Sequence, residues 1–160
     1  MAKFVPDVTT NRWVIIAEGR SKRPMENKDD VHAPKVCVFC PGNEKIPGEE
    51  VFRIGEGVAL EPGWKVRVIK NKFPITDFHE VIVHSPDDIL DIADLPLGQV
   101  SDILKAYRER YNANKENGHV IIFNNVGEAA GASLSHPHSQ LVVVPKQINL
   151  DSLYREPIAN

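Results

Sequence analysis

Apolar residues recur along this chain with two different periods, and each stretch of constant period predicts one element. Asn11-Arg12-Trp13-Val14-Ile15-Ile16-Ala17 is rich in β-branched and aromatic residues and reads as an early strand. Trp64-Lys65-Val66-Arg67-Val68-Ile69-Lys70 alternates as a half-buried strand does. His79 to His84 is another short strand, stopped by Ser85-Pro86-Asp87-Asp88. From Asp94 to about Asn114 the period lengthens, and Val100, Ile103, Leu104, Tyr107 and Tyr111 fall at helical spacing. Asp94 is the expected N-cap, Pro96 suits the first turn, and Asn117-Gly118 ends the unit. The two tyrosines read as core residues. His119 to Asn124 returns to strand, and Leu141-Val142-Val143-Val144 completes a strand that begins in Ser135-His136-Pro137-His138-Ser139-Gln140.

That last strand carries the first candidate chemistry. Extended side chains alternate with a period of two, so His136, His138 and Gln140 are expected in a row on one side. One imidazole can act as a nucleophile toward phosphorus, the other as a metal ligand, and the amide can hold a phosphate oxygen. A polar row on a strand edge is the plain alternative.

Composition narrows the classes. With 160 residues, 42% apolar and 26% charged, the chain is sized for one soluble globular domain, 1–160. A formal net charge of -3 argues against a general nucleic-acid binder. The start, Met1-Ala2-Lys3-Phe4-Val5-Pro6, lacks the apolar segment of a signal peptide, and no apolar run is long enough to span a bilayer. A cytoplasmic location, with no membrane partner, is therefore expected. Its two cysteines both lie in Cys37-Val38-Phe39-Cys40, where a reducing compartment disfavours a structural disulfide.

Cys37 and Cys40 are followed by Pro41-Gly42, the kind of tight turn by which two thiolates reach one metal ion. A thioredoxin-type pair is the rival, but that motif opens a helix, which Pro41-Gly42 opposes. A closed zinc site needs two further ligands, and His32, His79, His84, Asp87, Asp88, His119, His136 and His138 are the candidates. Glu18 to Pro24 carries Arg20, Lys22 and Arg23, a loop able to close over an anionic group or to stand as a solvated basic turn. Between the 119–124 strand and the histidines lies a loop of small residues. Gly127 and Gly131 permit close backbone approach to a ligand there, and Ser133 offers a hydroxyl.

Taken together, NRWVIIAEGRSKRP, CVFCPGNE, VRVIKNKFP, HEVIVHSPDD and FNNVGEAAGASLSHPHSQL resemble the N-terminal half of the galactose-1-phosphate uridylyltransferase family. That family belongs to the histidine-triad (HIT) superfamily of nucleotidyltransferases, and the likeness covers roughly residues 8–145. It implies an α+β, HIT-like domain: an antiparallel sheet, the 94–114 helix packed across it, and the HPHSQ strand near the centre. Position by position, His138 matches the nucleophile and Gln140 the glutamine that contacts the transferred phosphate. Asn125 and Ser133 match loop residues near the phosphates, Arg20 and Arg23 the basic loop, and Asn71 a nucleoside-contacting position. Cys37, Cys40 and His136 match three ligands of a structural zinc site. At the fourth ligand the family reads Ser/Thr-Pro-x-His, where this chain has Asp88, with His84 as a nearby substitute.

The implied reaction moves UMP from UDP-glucose to galactose 1-phosphate through a uridylyl-histidine. An imidazole near its ordinary pKa of about 6.5 is largely neutral at pH 7 and needs little activation. Gln140 cannot act as an acid, so the leaving group must depart as a stable anion, as a sugar phosphate does. Relatives that use ADP-sugars or dinucleoside polyphosphates share the HxHxQ row and are the alternative. A zinc-stabilised nucleotide-binding half-domain without turnover is the alternative of another class. Family members continue into a related second half that is absent from these 160 residues. Their sites are assembled across a dimer, which makes a homodimer a partner to test for, beside nucleotide sugar and sugar phosphate.

Overall fold

The computed structural model describes residues 2–9, 12–22, 36–127, 130, 132 and 134–148, with the side chains of 21 and 22 left aside. In chain order its elements are β1 (Lys3–Asp7), β2 (Arg12–Ile16), a short 3-10 helix (Glu18–Lys22) and β3 (Glu50–Gly55). These are followed by β4 (Trp64–Lys70), β5 (His79–Val83), α1 (Leu97–Asn114), β6 (His119–Asn124) and β7 (His138–Val144). β1 and β2 form a separate two-stranded ribbon. The other five strands make one sheet in the order β3-β4-β5-β7-β6, every neighbouring pair antiparallel. The expected α+β architecture is present, with β7 flanked on both sides.

Two strands escape the sequence pattern for identifiable reasons. β1 carries Pro6, which the ladder tolerates only because this ribbon has free edges. β3 is interrupted by register shifts between Glu50 and Phe52 and between Ile54 and Gly55. Bulges of this kind break the alternation by which a strand is read.

The sheet's two faces bury different clusters. On one, Val66, Val68, Ile82, Leu141 and Val143 meet Leu95, Ile103 and Ala106 at and ahead of the helix. Each valine, leucine or isoleucine among them contributes about 1.5–3 kcal/mol of apolar burial. On the other, Ile69, Val81 and Val83 pack against Trp64 and Phe39, the latter from the Cys37–Cys40 turn. That second face is the one on which His138 and Gln140 stand, since Val83 pairs with His138 and Val81 with Gln140.

Helix α1 begins later than expected. Pro96 takes the N-cap position with ψ of 144° and no side-chain capping bond, so Asp94 lies outside the helix. Leu104 and Tyr111 are 56% and 48% exposed and do not join the core, whereas Ala106 does. One polar clamp fixes the helix to the sheet: Arg110 donates from Nε and Nη2 to the Glu80 carboxylate at 2.9 and 2.6 Å. Between α1 and β6 the chain turns at Gly118, where any Cβ would lie 2.3 Å from the Val144 carbonyl oxygen. Only glycine fits that approach. Among the described residues no helix is long and apolar enough to cross a membrane.

Candidate active site

His136 and His138 part company at Pro137. Proline has no N–H to give a ladder, so β7 starts only at His138. The expected row of three is therefore corrected: His138 and Gln140 share a face, while His136 sits in the bend before the strand. His138 is held by its own chain, its Nδ1–H donating to the His136 carbonyl at 2.8 Å. In the neutral ring the proton is then on Nδ1 and Nε2 carries the lone pair. Phe39 braces the ring edge-on at a centroid distance of 5.3 Å and touches His136 as well, at 6.0 Å. That aromatic brace, hidden between the two cysteines, was not legible as a site residue in the sequence.

Gln140 is nearly buried, and its Oε1 lies 3.0 Å from His79 Nε2 on β5. Asn71 joins them, with Nδ2 at 3.1 Å from the same ring nitrogen and Oδ1 accepting the Phe73 N–H at 2.8 Å. Arg20, in the short 3-10 helix, donates from Nη1 to the Phe73 carbonyl at 3.4 Å. The basic loop thus meets the turn that carries Asn71. On the other flank the β6–β7 ladder ends where Asn124 faces Ser139, and Asn125 follows directly. Gly127 follows with φ of 74°, its carbonyl accepting the Ala132 N–H at 3.1 Å. Arg23, Ser133, Gly131 and His32 lie outside the described residues.

The second cluster is Cys37, Cys40 and His136, whose ligand atoms all lie within 4.8 Å of one another and could hold a metal ion. His136 Nδ1 is 3.3 Å from Cys37 Sγ and 3.6 Å from Cys40 Sγ. Its Nε2–H donates to the Ser85 carbonyl at 2.9 Å, so Nδ1 faces the sulfurs bare. That is the arrangement by which a ligating imidazole is normally oriented. Burial also pushes the His136 pKa below its ordinary value, against the opposing pull of the Ser85 carbonyl, Asp88 and Asp87. Asp88 comes within 3.5 Å of Cys40 Sγ through Oδ2. The two sulfurs are joined as a disulfide, contrary to the expectation of reduced thiols. The donor set fits a metal once that bond is reduced, because the imidazole nitrogen already points between the two sulfurs.

The remaining histidines are engaged elsewhere. His119 Nε2 faces the Lys146 carbonyl at 3.3 Å. His84 is fully buried on the helix side, its Nε2 2.7 Å from Ser139 Oγ and 3.3 Å from Tyr107 OH. It stands on the opposite face of the sheet from the sulfurs, whereas Asp88 lies beside Cys40. Nδ1 of His84 has no hydrogen-bond partner. Burial, and next the neighbouring charge of His138, push its pKa from 6.5 down to about 4.

The unfolded chain takes up a proton at His84 below pH 6.5, and the folded chain does not until about pH 4. Stability from this group is complete above pH 6.5 and falls away toward pH 4 by roughly 3 kcal/mol. Urea unfolding followed down through that window is expected to show the loss. In a His84→Phe variant the same titration should be flatter by that amount, and an unchanged slope would refute the assignment.

Comparison with known proteins agrees with this layout. Residues 78–144 match the family described as galactose-1-phosphate uridyl transferase, N-terminal domain. ADP-glucose phosphorylase from Arabidopsis thaliana is 32% identical over 87% of this chain and 47% of its own length. The crystal structure of an ADP-glucose phosphorylase from Arabidopsis thaliana with bound ADP-glucose superposes with a TM-score of 0.67 at 31% identity, covering 96% of this chain and 51% of that one. Galactose-1-phosphate uridylyltransferase of Thermotoga maritima is 26% identical over 85% of this chain and 44% of its own length. A HIT family hydrolase from Clostridium thermocellum, 21% identical with a TM-score of 0.55 and coverage of 73% and 97%, shares the fold. The chain spans about half the length of the curated relatives it matches.

Proposed function

Starting from a chain that carries, over residues 78–144, the N-terminal domain of the galactose-1-phosphate uridyl transferase family, we propose that it transfers a nucleoside monophosphate through His138. The observation that carries this reading is the bond from His138 Nδ1–H to the His136 carbonyl, which puts the lone pair of the neutral ring on Nε2, on the face it shares with Gln140. Nε2 forms a bond to the α-phosphorus of a nucleotide sugar, and the sugar 1-phosphate leaves with the bonding electron pair as a stable anion. An acceptor phosphate oxygen then displaces the imidazole and takes the nucleotidyl group. The Gln140 amide, Arg20, Arg23 and the 125–133 loop, with Asn125, Gly127 and Ser133, bind the phosphate oxygens, and Asn71 the nucleoside.

The nucleotide we assign is ADP-glucose, with inorganic phosphate as acceptor, giving ADP and glucose 1-phosphate. Support comes from the 32% identity to ADP-glucose phosphorylase, against 26% to the Thermotoga uridylyltransferase. UMP transfer from UDP-glucose to galactose 1-phosphate is the second reading, favoured by the family match itself. With the pair reduced, Cys37, Cys40, His136 and Asp88 are the residues that would hold zinc. The ion would supply a cross-link between the Cys37 turn and the segment ahead of β7.

The test uses ADP-glucose and UDP-glucose, each labelled at the α-phosphorus, without acceptor. An alkali-stable, acid-labile adduct on His138 is expected, forming at least tenfold faster from ADP-glucose, a difference of about 1.4 kcal/mol. Faster labelling by UDP-glucose selects the second reading. Absence of an adduct from either defeats nucleotidyl transfer and leaves a binding domain.

A further inference from the structure

A backbone N–H fixes where the proton of the His79 ring sits. The ring is buried, with 4% exposure. The backbone N–H of Ile75 donates to Nδ1 at 3.0 Å, so that nitrogen must keep its lone pair. The neutral ring then carries its proton on Nε2, 3.0 Å from Gln140 Oε1. Asn71 cannot accept that proton, because its Oδ1 is committed to the Phe73 N–H and its near atom is the donor Nδ2. The Nε2–H therefore goes to Gln140, and the carboxamide oxygen is turned inward.

Resting on the nucleotidyl-transfer reading above, we propose that His79 is a positioning residue that fixes which end of the Gln140 carboxamide meets the phosphate. The two ends of an amide match in shape and differ in hydrogen-bonding sign. With Oε1 held by His79, the Nε2 amide group is the arm left for a phosphate oxygen on the face shared with His138. Without that hold the carboxamide can present its oxygen instead, and two acceptors repel. Orientation set before the substrate arrives costs nothing at the moment of reaction. His138 and His79 thus carry opposite tautomers, each dictated by one backbone group: a carbonyl for His138, an N–H for His79.

The experiment has two arms. In the first, long-range proton–nitrogen spectra of the full chain labelled at histidine nitrogen read the ring protons directly, with no nucleotide present. His79 is expected with its proton on Nε2 and His138 with its proton on Nδ1. A His79 ring protonated at Nδ1 overturns the proposal whether or not the protein turns over. In the second, single-turnover formation of the His138 adduct is compared with nucleotide-sugar affinity. His79→Leu is expected to slow the step about 10–100-fold, the range for removing an orienting partner one step back from the chemistry. Affinity should stay within about threefold, since the interaction gained belongs to the transition state. His79→Gln, whose amide N–H reaches the place of Nε2, is expected to recover most of the rate. Equal rates in the Leu variant and the wild type, or no recovery in the Gln variant, overturn the proposal. If the wild type forms no adduct, the transfer reading fails, and the tautomer arm alone decides the role of His79.

Discussion

Replacing His138 by asparagine is expected to abolish the covalent adduct and slow turnover on the order of 10⁴-fold or more, the scale seen when a nucleophile is removed. Asparagine is the informative choice. Its side-chain N–H can still donate to the His136 carbonyl, the bond that His138 Nδ1 makes at 2.8 Å. What disappears is Nε2, the ring nitrogen that carries the lone pair proposed to attack phosphorus. The side chain is 9% exposed and braced by Phe39, so a variant that empties the position would also disturb packing. The melting temperature should therefore hold near the wild-type value while adduct formation vanishes. Nucleotide-sugar binding, measured by calorimetry, should change little, because the phosphate contacts assigned to Gln140 and the loops remain. Labelling that survives in this variant would remove His138 as the nucleophile. A parallel loss of binding and stability would show instead that the residue is a packing element.

Much of this layout was legible before any coordinates. β4 follows from alternation, β2, β5, β6 and β7 from short runs rich in β-branched residues, and α1 from a helical period. What was lost was lost where geometry breaks period. The bulges flanking β3 scramble its alternation, and Pro6 hides β1. Pro96 adopts extended backbone, so the helix starts after it rather than at the acidic cap two residues earlier. In the site, Pro137 does the same on a smaller scale, removing His136 from the β7 row and handing it to the cysteine turn. His79 stood in the sequence as one of eight metal candidates. Its bond to Gln140 spans 61 residues and depends on the β5–β7 register, which no local pattern encodes. His84 was weighed beside Asp88 as a ligand, and the alternation of β5, carried one residue past Val83, sets its direction. It places the ring against Ser139 on the helix face, away from the sulfurs.

Changing Cys37 to serine is expected to strip the zinc from reduced protein and lower its melting temperature by roughly 10 °C. Binding of an ion at a thousandfold over its dissociation constant stabilises by about 4 kcal/mol, and each kcal/mol shifts melting by about 2–4 °C at this size. The wild type in reductant should bind one zinc. Oxidised protein, with Cys37 and Cys40 joined as they are here, should bind none, since both sulfurs are then committed to each other. Asp88→Ala should weaken zinc without abolishing it, and Asp88→His should strengthen it, because imidazole replaces an exposed carboxylate beside Cys40. A Cys37→Ser protein that keeps full zinc content and its melting temperature defeats the metal assignment. The effect should also reach the chemistry. His136 holds His138 through its carbonyl and meets the sulfurs through its ring, so one residue would couple a bound ion to the proposed nucleophile. Loss of the ion loosens that residue first, and adduct formation at His138 should slow before nucleotide binding weakens.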